Sequence, residues 1–149
     1  MQKITPFLWF DNNAEDAIEF YAGIFDDVKV WNKTYMGAGG PLLTASFSLN
    51  GQEFIALNGG PVFHFTEAIS FMIACPTQEE IDDKWEKLSA DGGQKSRCGW
   101  LKDKFGLSWQ VVPPALNDML RDPDQEKAKR VMDAMMKMDK IDIEALRNA

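Results

Sequence analysis

Histidine is almost missing from this chain, since His64 is the only one among 149 residues. A two-histidine metal site therefore cannot be assembled within one copy of it. Cysteine is as scarce: Cys75 and Cys98 are too few for a disulfide framework and lack the spacing of a metal finger. The longest apolar runs, FLWF, FIAL and FMIAC, have the length of strands, well short of the ~20 residues that span a bilayer. No signal-peptide pattern precedes the first strand-like run, so a cytoplasmic location is expected, with no membrane partner. No Lys/Arg block reaches five residues and the formal net charge is −7, which argues against a surface that tracks nucleic-acid phosphates. A phosphate-cradling loop is absent too. GAGG at 37–40 lies between two strand-like stretches and opens no helix. Neither G-x-S-x-G nor C-x-x-C occurs.

What is present is the composition of a folded globule, 45% apolar and 26% charged. A chain of this length buries roughly 68–70% of its unfolded surface and needs no staple. Its organising feature is an internal echo. ITPFLWFDNNAEDAIEFYAGIF opens the first half and AISFMIACPTQEEIDDKWEKLSADGG the second. Each begins with an apolar run of high β-propensity and passes at once into a helix start. Asn12 with Glu15, and Thr77 with Glu80, have the spacing of a cap and its acid. Ala14, Ala17, Ile18, Tyr21, Ile24 and Phe25 follow with helical period, as do Ile81, Trp85 and Leu88. Strand-like pieces come next: VKVWNKTYM, LLTASFSLN and QEFIALN, then QKSRC, GWLKDKF and SWQVVP. Asn50-Gly51 reads as a hairpin turn and Gly92-Gly93 as the end of the second helix. Both halves thus read β-α-β-β-β, over about residues 3–65 and 66–112. Together they make one domain, 1–112, in which paired modules form a curved sheet around a cleft.

From residue 113 to 149 the pattern turns helical. Asp122-Pro123 offers a cap with proline at the first helical position. Ala128, Val131, Met132 and Met135 mark one apolar face, and Asp142 caps a further short helix. Five of the eight methionines lie in this tail, which is expected to pack on the sheet or against a second subunit.

Aromatic residues say more about a site than ionisable ones. Phe7 and Trp9 share one face of the first strand by its period of two. Phe63 and Phe65 follow the NGGP loop, while Trp100, Phe105 and Trp109 crowd the last hairpin. Such a set fills a core or lines an apolar pocket, with Asn58, His64, Glu67, Ser70 and Gln110 as its polar points. Cys98 reads either as a member of that pocket or as a buried thiol in a strand, since only His64 could activate it.

The segments PFLWFDNNAEDAIEFY, FIALNGGPVFHFTEAISFMIAC, CGWLKDKFGLSWQVVPPAL and MMKMDKIDIEAL together resemble the vicinal oxygen chelate superfamily. That superfamily includes glyoxalase I, bleomycin-resistance proteins and extradiol dioxygenases. Within it the chain is similar to the PhnB-like branch, which carries the label 3-demethylubiquinone-9 3-methyltransferase. The resemblance implies an α+β fold of paired βαβββ modules, a homodimer and a concave site in each cup. The metal-binding positions of the superfamily fall on Pro6, Ala56, Ala68 and Gln110, of which only Gln110 has a ligating side chain. Registers shifted by one or two residues reach Asn58, Glu67 or Ser70.

The expectation is thus a cytoplasmic, homodimeric protein without metal or cofactor that binds a small, partly apolar molecule. The pocket is expected to use Phe7, Trp9, Asn58, His64, Glu67, Ser70, Cys98, Trp100 and Gln110. Trp100 and Trp109 are not expected both to face it. The alternatives are a metal-dependent lyase, isomerase or dioxygenase, and the methyltransferase of the label, although no glycine-rich turn follows a strand to hold its cofactor.

Overall fold

A computed structural model describes residues 2–149. The chain forms two compact units, one ending at Phe65 and the other spanning Thr66–Ala149.

The first unit contains β1 (Phe7–Phe10), α1 (Ala14–Ala22), β2 (Val28–Tyr35), β3 (Leu42–Leu49) and β4 (Gln52–Asn58). Its four-stranded sheet has the order β1-β4-β3-β2, with β1 parallel to β4 and the remaining pairs antiparallel. Asn50 and Gly51 both take positive φ, the conformation that a tight hairpin between β3 and β4 demands. Alternation along the strands divides the sheet into two faces. Leu8, Phe10, Phe54, Ala56, Ala45 and Phe47 are buried on one, against Ala14, Ala17, Ile18 and Tyr21 of α1. There the Tyr21 ring stacks on Phe47 and Phe47 on Phe54. Phe7, Trp9, Ile55 and Leu57 occupy the other face.

The start of α1 departs from the local signal. Asn12 takes φ +57, the helix begins after Asn13, and neither asparagine side chain caps it. The acceptor is instead Asn58, whose Oδ1 takes the Ala14 N–H at 2.9 Å. The helix also stops at Ala22, one residue before Gly23. Ile24 and Phe25, which the periodicity puts on the helix, reach the core from the turn behind it, where the Phe25 N–H bonds the Tyr21 carbonyl.

The second unit repeats the topology with β5 (Ser70–Ala74), α2 (Gln78–Leu88), β6 (Gln94–Lys95), β7 (Trp100–Lys102) and β8 (Ser108–Val112). Its sheet order is β5-β8-β7-β6, with β5 parallel to β8. Here the local cap works as expected: the Thr77 side chain accepts the Glu80 N–H. Ile81, Trp85 and Leu88 are buried on the sheet side of α2. The helix closes at Ser89, ahead of Gly92-Gly93, which belong to the turn into β6. QKSRC shrinks to a two-residue strand, because Cys98 (φ +59) and Gly99 (φ +82) leave extended geometry. Cys98 is therefore half-buried in a turn, which corrects its reading as a strand thiol.

The tail carries α3 (Ala115–Leu120), α4 (Gln125–Met135) and α5 (Ile143–Arg147). Asp124, not Asp122, caps α4, accepting from the Glu126 and Lys127 N–H groups. Asp122 accepts the Asp124 N–H one turn earlier. Asp142 caps α5 through the Ala145 N–H, in line with its expected place. The tail is tied to the sheet of its own unit, with the Cys98 and Gly99 N–H groups donating to the Met138 and Asp139 carbonyls. Leu116, Val131, Ile141, Ile143 and Leu146 are buried in it, while Met132 and Met136 remain exposed.

Candidate functional site

In the first unit, Trp9 stands on the face turned away from α1, its indole N–H donating to the Gly60 carbonyl at 2.8 Å. Phe63 meets it edge-on, with ring centroids 4.9 Å apart. The NGGP loop thus folds over the indole, and Gly59 has no room for a side chain: a Cβ would lie 2.2 Å from the Trp9 ring. Phe7 shares this face and is 59% exposed. His64 is exposed on the loop that follows. Asn58 is on the opposite face, in register with Phe10. Its side chain is engaged at both ends, Oδ1 accepting the Ala14 N–H and Nδ2 donating to the Leu42 carbonyl at 3.0 Å. Asn58 is a helix cap rather than a group facing the same way as Trp9.

In the second unit, register separates the two tryptophans. Trp109 pairs with Leu101 and Phe71 on the side of α2, and its indole N–H reaches the buried Asp103 carboxylate at 2.9 Å. Asp103 also accepts the Phe105 and Leu107 N–H groups, so the β7–β8 turn is organised around one buried acid. Trp100 pairs with Gln110 on the face turned away from α2. Gln110 donates its amide to the Ser70 hydroxyl at 2.8 Å, a contact that orients the side chain and leaves its carbonyl as an acceptor. Lys102 and Ser108 face each other on the same side, one pair further along. Lys102 is ion-paired with Glu67, and the hydrogen bond from its ammonium holds the Glu67 carboxyl below its ordinary value. A pocket of about 200 Å³ opens here, lined by Glu67, Trp100, Lys102 and Ser108 among others.

Four of the candidate residues, Glu67, Ser70, Trp100 and Gln110, thus belong to this side of the second-unit sheet. Cys98 lies apart, its Sγ 3.8 Å from Met136 Sδ, beside the tail. Cys75 is buried, which pushes its thiol up to about 11. Ser108 and Lys102 join this face without a strong mark in the sequence. Their only signal is a polar residue two positions from Gln110 and another two from Trp100, which is the spacing of one strand face.

The positions that hold metal in the wider superfamily do not fit one here. Ala56 faces α1, and the residues beside it on the other face are Ile55 and Leu57. Pro6 and Ala68 offer no side-chain ligand, so the Gln110 carbonyl, left free by the amide's bond to Ser70, would be a single neutral oxygen. Among the described residues, no three His, Cys, Asp or Glu gather as a metal-holding group.

Residues 2–112 match the model of the 3-demethylubiquinone-9 3-methyltransferase family. The chain belongs to this family. Among its solved relatives is a putative 3-demethylubiquinone-9 3-methyltransferase, PhnB protein, from Bacillus cereus, 36% identical with a TM-score of 0.67. The match covers 75% of this chain and 99% of that one. Protein PA1353 from Pseudomonas aeruginosa shares the fold at 17% identity and a TM-score of 0.61, over 76% of this chain and 98% of that one. So does the fosfomycin resistance protein FosX from Listeria monocytogenes, solved with Mn(II) and sulfate. That similarity is 16% identity and a TM-score of 0.56, over 81% of this chain and 98% of that one. No curated protein matches the sequence. Membership of the 3-demethylubiquinone-9 3-methyltransferase family places the chain in the vicinal oxygen chelate superfamily, with its α+β architecture of four-stranded mixed sheets. The family model's match ends at residue 112 and does not take in the helical tail. No helix of the described residues is long and apolar enough to cross a membrane.

Proposed function

We propose that this protein binds a small, partly apolar organic molecule on the face of the second-unit sheet turned away from α2, without a metal. The observation that carries this reading is the pairing of Trp100 with Gln110. An aromatic surface lies beside an amide that Ser70 orients, so a guest gains apolar contact and one directed hydrogen bond. Phe7 and Trp9 serve as a comparable apolar surface on the first unit. The donor set supports binding over metal-assisted lyase, isomerase or dioxygenase chemistry. Ile4, Ile69 and Met72, all more than half exposed, support a homodimer that covers them. Cytoplasmic residence belongs to the same reading.

The test is a titration with small aromatic and aliphatic fragments, read from the indole N–H resonance of Trp100 and assigned with Trp100→Phe. Saturable shifts at Trp100 and at the Gln110 side-chain amide are expected. Fragments that shift neither group would end the proposal. The family description supports a second reading, methyl transfer. It calls for adenosylmethionine binding, which calorimetry would detect as a stoichiometric heat.

A further inference from the structure

Resting on the site just proposed, we infer that the pocket beside Trp100 takes a carboxylate-bearing molecule, and that Glu67 occupies the place of its carboxylate until it binds. Three observations meet at this spot. Lys102 is fixed from strand β7 and is only 35% exposed at its side chain, so the cation is a built part of the pocket. Directly opposite it in register, Ser108 is 1% exposed, and its hydroxyl has no hydrogen-bond partner. A buried hydroxyl left unpaired is costly, and this one, with no partner of its own, stands beside a cation. The anion now on Lys102 comes from outside the sheet: Glu67 lies before β5, in an exposed segment without regular structure, its side chain 58% exposed.

These differences decide which partner leaves. Glu67 satisfies Lys102 and leaves Ser108 unsatisfied. A guest carboxylate has two oxygens, so it reaches the ammonium with one and, after a turn about the Ser108 Cα–Cβ bond, the hydroxyl with the other. Displacing Glu67 into water costs little, because an ion pair this exposed is weak. The body of the guest then lies against Trp100, and a volume of about 200 Å³ suits a short-chain or single-ring acid.

The experiment titrates the full-length protein with benzoate and with its neutral counterpart benzamide, following the Trp100 indole resonance. Benzoate is expected to bind and benzamide to bind at least tenfold more weakly. Glu67→Gln removes the competing carboxylate and should tighten benzoate roughly two- to fivefold. Lys102→Met should weaken it roughly tenfold or more. Ser108→Ala should weaken it roughly two- to tenfold while leaving the urea midpoint unchanged or higher. Equal binding of benzoate and benzamide, or a Glu67→Gln variant that binds benzoate no better, would overturn the inference and leave the apolar site standing. Silence of Trp100 toward both compounds, in the wild type and in Glu67→Gln, would overturn the inference and the site together.

Discussion

Asn58 closes the N-terminus of α1 from 44 residues away in sequence, its Oδ1 accepting the Ala14 N–H at 2.9 Å. The same amide donates to the Leu42 carbonyl at 3.0 Å, so one side chain joins β4, the start of β3 and the helix. Asn58→Ala removes both bonds and leaves buried backbone groups unpaired. It should cost about 1–3 kcal/mol of stability, read as a lower urea midpoint, with ligand shifts at Trp100 unaltered.

Asp103 is the corresponding keystone of the second unit. Its carboxylate accepts from two backbone N–H groups and the Trp109 indole while nearly inaccessible to water. Asp103→Ala strands all three donors and should destabilise by about 3 kcal/mol or more. Trp109→Phe strands one hydrogen bond of the three but also changes core volume, at about 1–3 kcal/mol. Chemical denaturation of both variants should rank them in that order.

Gln78 clamps the tail onto α2. Its Nε2 donates to the Ile141 carbonyl and its Oε1 accepts the Ile143 N–H, both at 2.9 Å, while Lys140 pairs with Asp82 beside it. Gln78→Ala should release α5 before anything else unfolds. Hydrogen exchange should quicken at Ile143 and Leu146 while the β8 amides keep their protection.

Lys102 lowers the Glu67 carboxyl, and Lys partners do the same for Asp82, Asp83 and Asp133. A lowered folded-state value means that each contribution is present above the unfolded value and is lost as pH falls through the folded one. Stability should therefore hold from neutral pH down to the ordinary carboxylate range and decline below it. All four groups are exposed enough for the decline to be shallow and weakened by salt. A carbon-detected titration should place the Glu67 midpoint below 4.5 and return it toward that value in Lys102→Met.

Local chemistry made much of this fold legible. The Thr77–Glu80 cap, the Asn50-Gly51 hairpin and the two βαβββ halves all rest on spacings of a few residues. The period of two was enough to put Phe7 with Trp9, and the antiparallel register then separated Trp100 from Trp109. What escaped were pairings over distance. Nothing near Asn12 reveals that Asn58 takes over the cap, because the competing acceptor arrives only once β4 lies beside β1. The cap of α4 slipped by two residues because Asp122 and Asp124 flank Pro123 and both are good acceptors. Cys98 left its strand because the chain turns at Gly99 to meet Asp139 of the tail. Ser108 went unnoticed because a serine in a strand carries no signal until its neighbours show that its hydroxyl has no partner.

Native mass spectrometry of protein purified from cells is the most direct test for a metal-free organic guest beside Trp100. The expected result is a bound species of small-organic mass, lost on denaturation and reduced in Trp100→Ala. A stoichiometric mass increment equal to a metal ion, or an organic adduct that survives unchanged in Trp100→Ala, would rule out a metal-free guest held by Trp100.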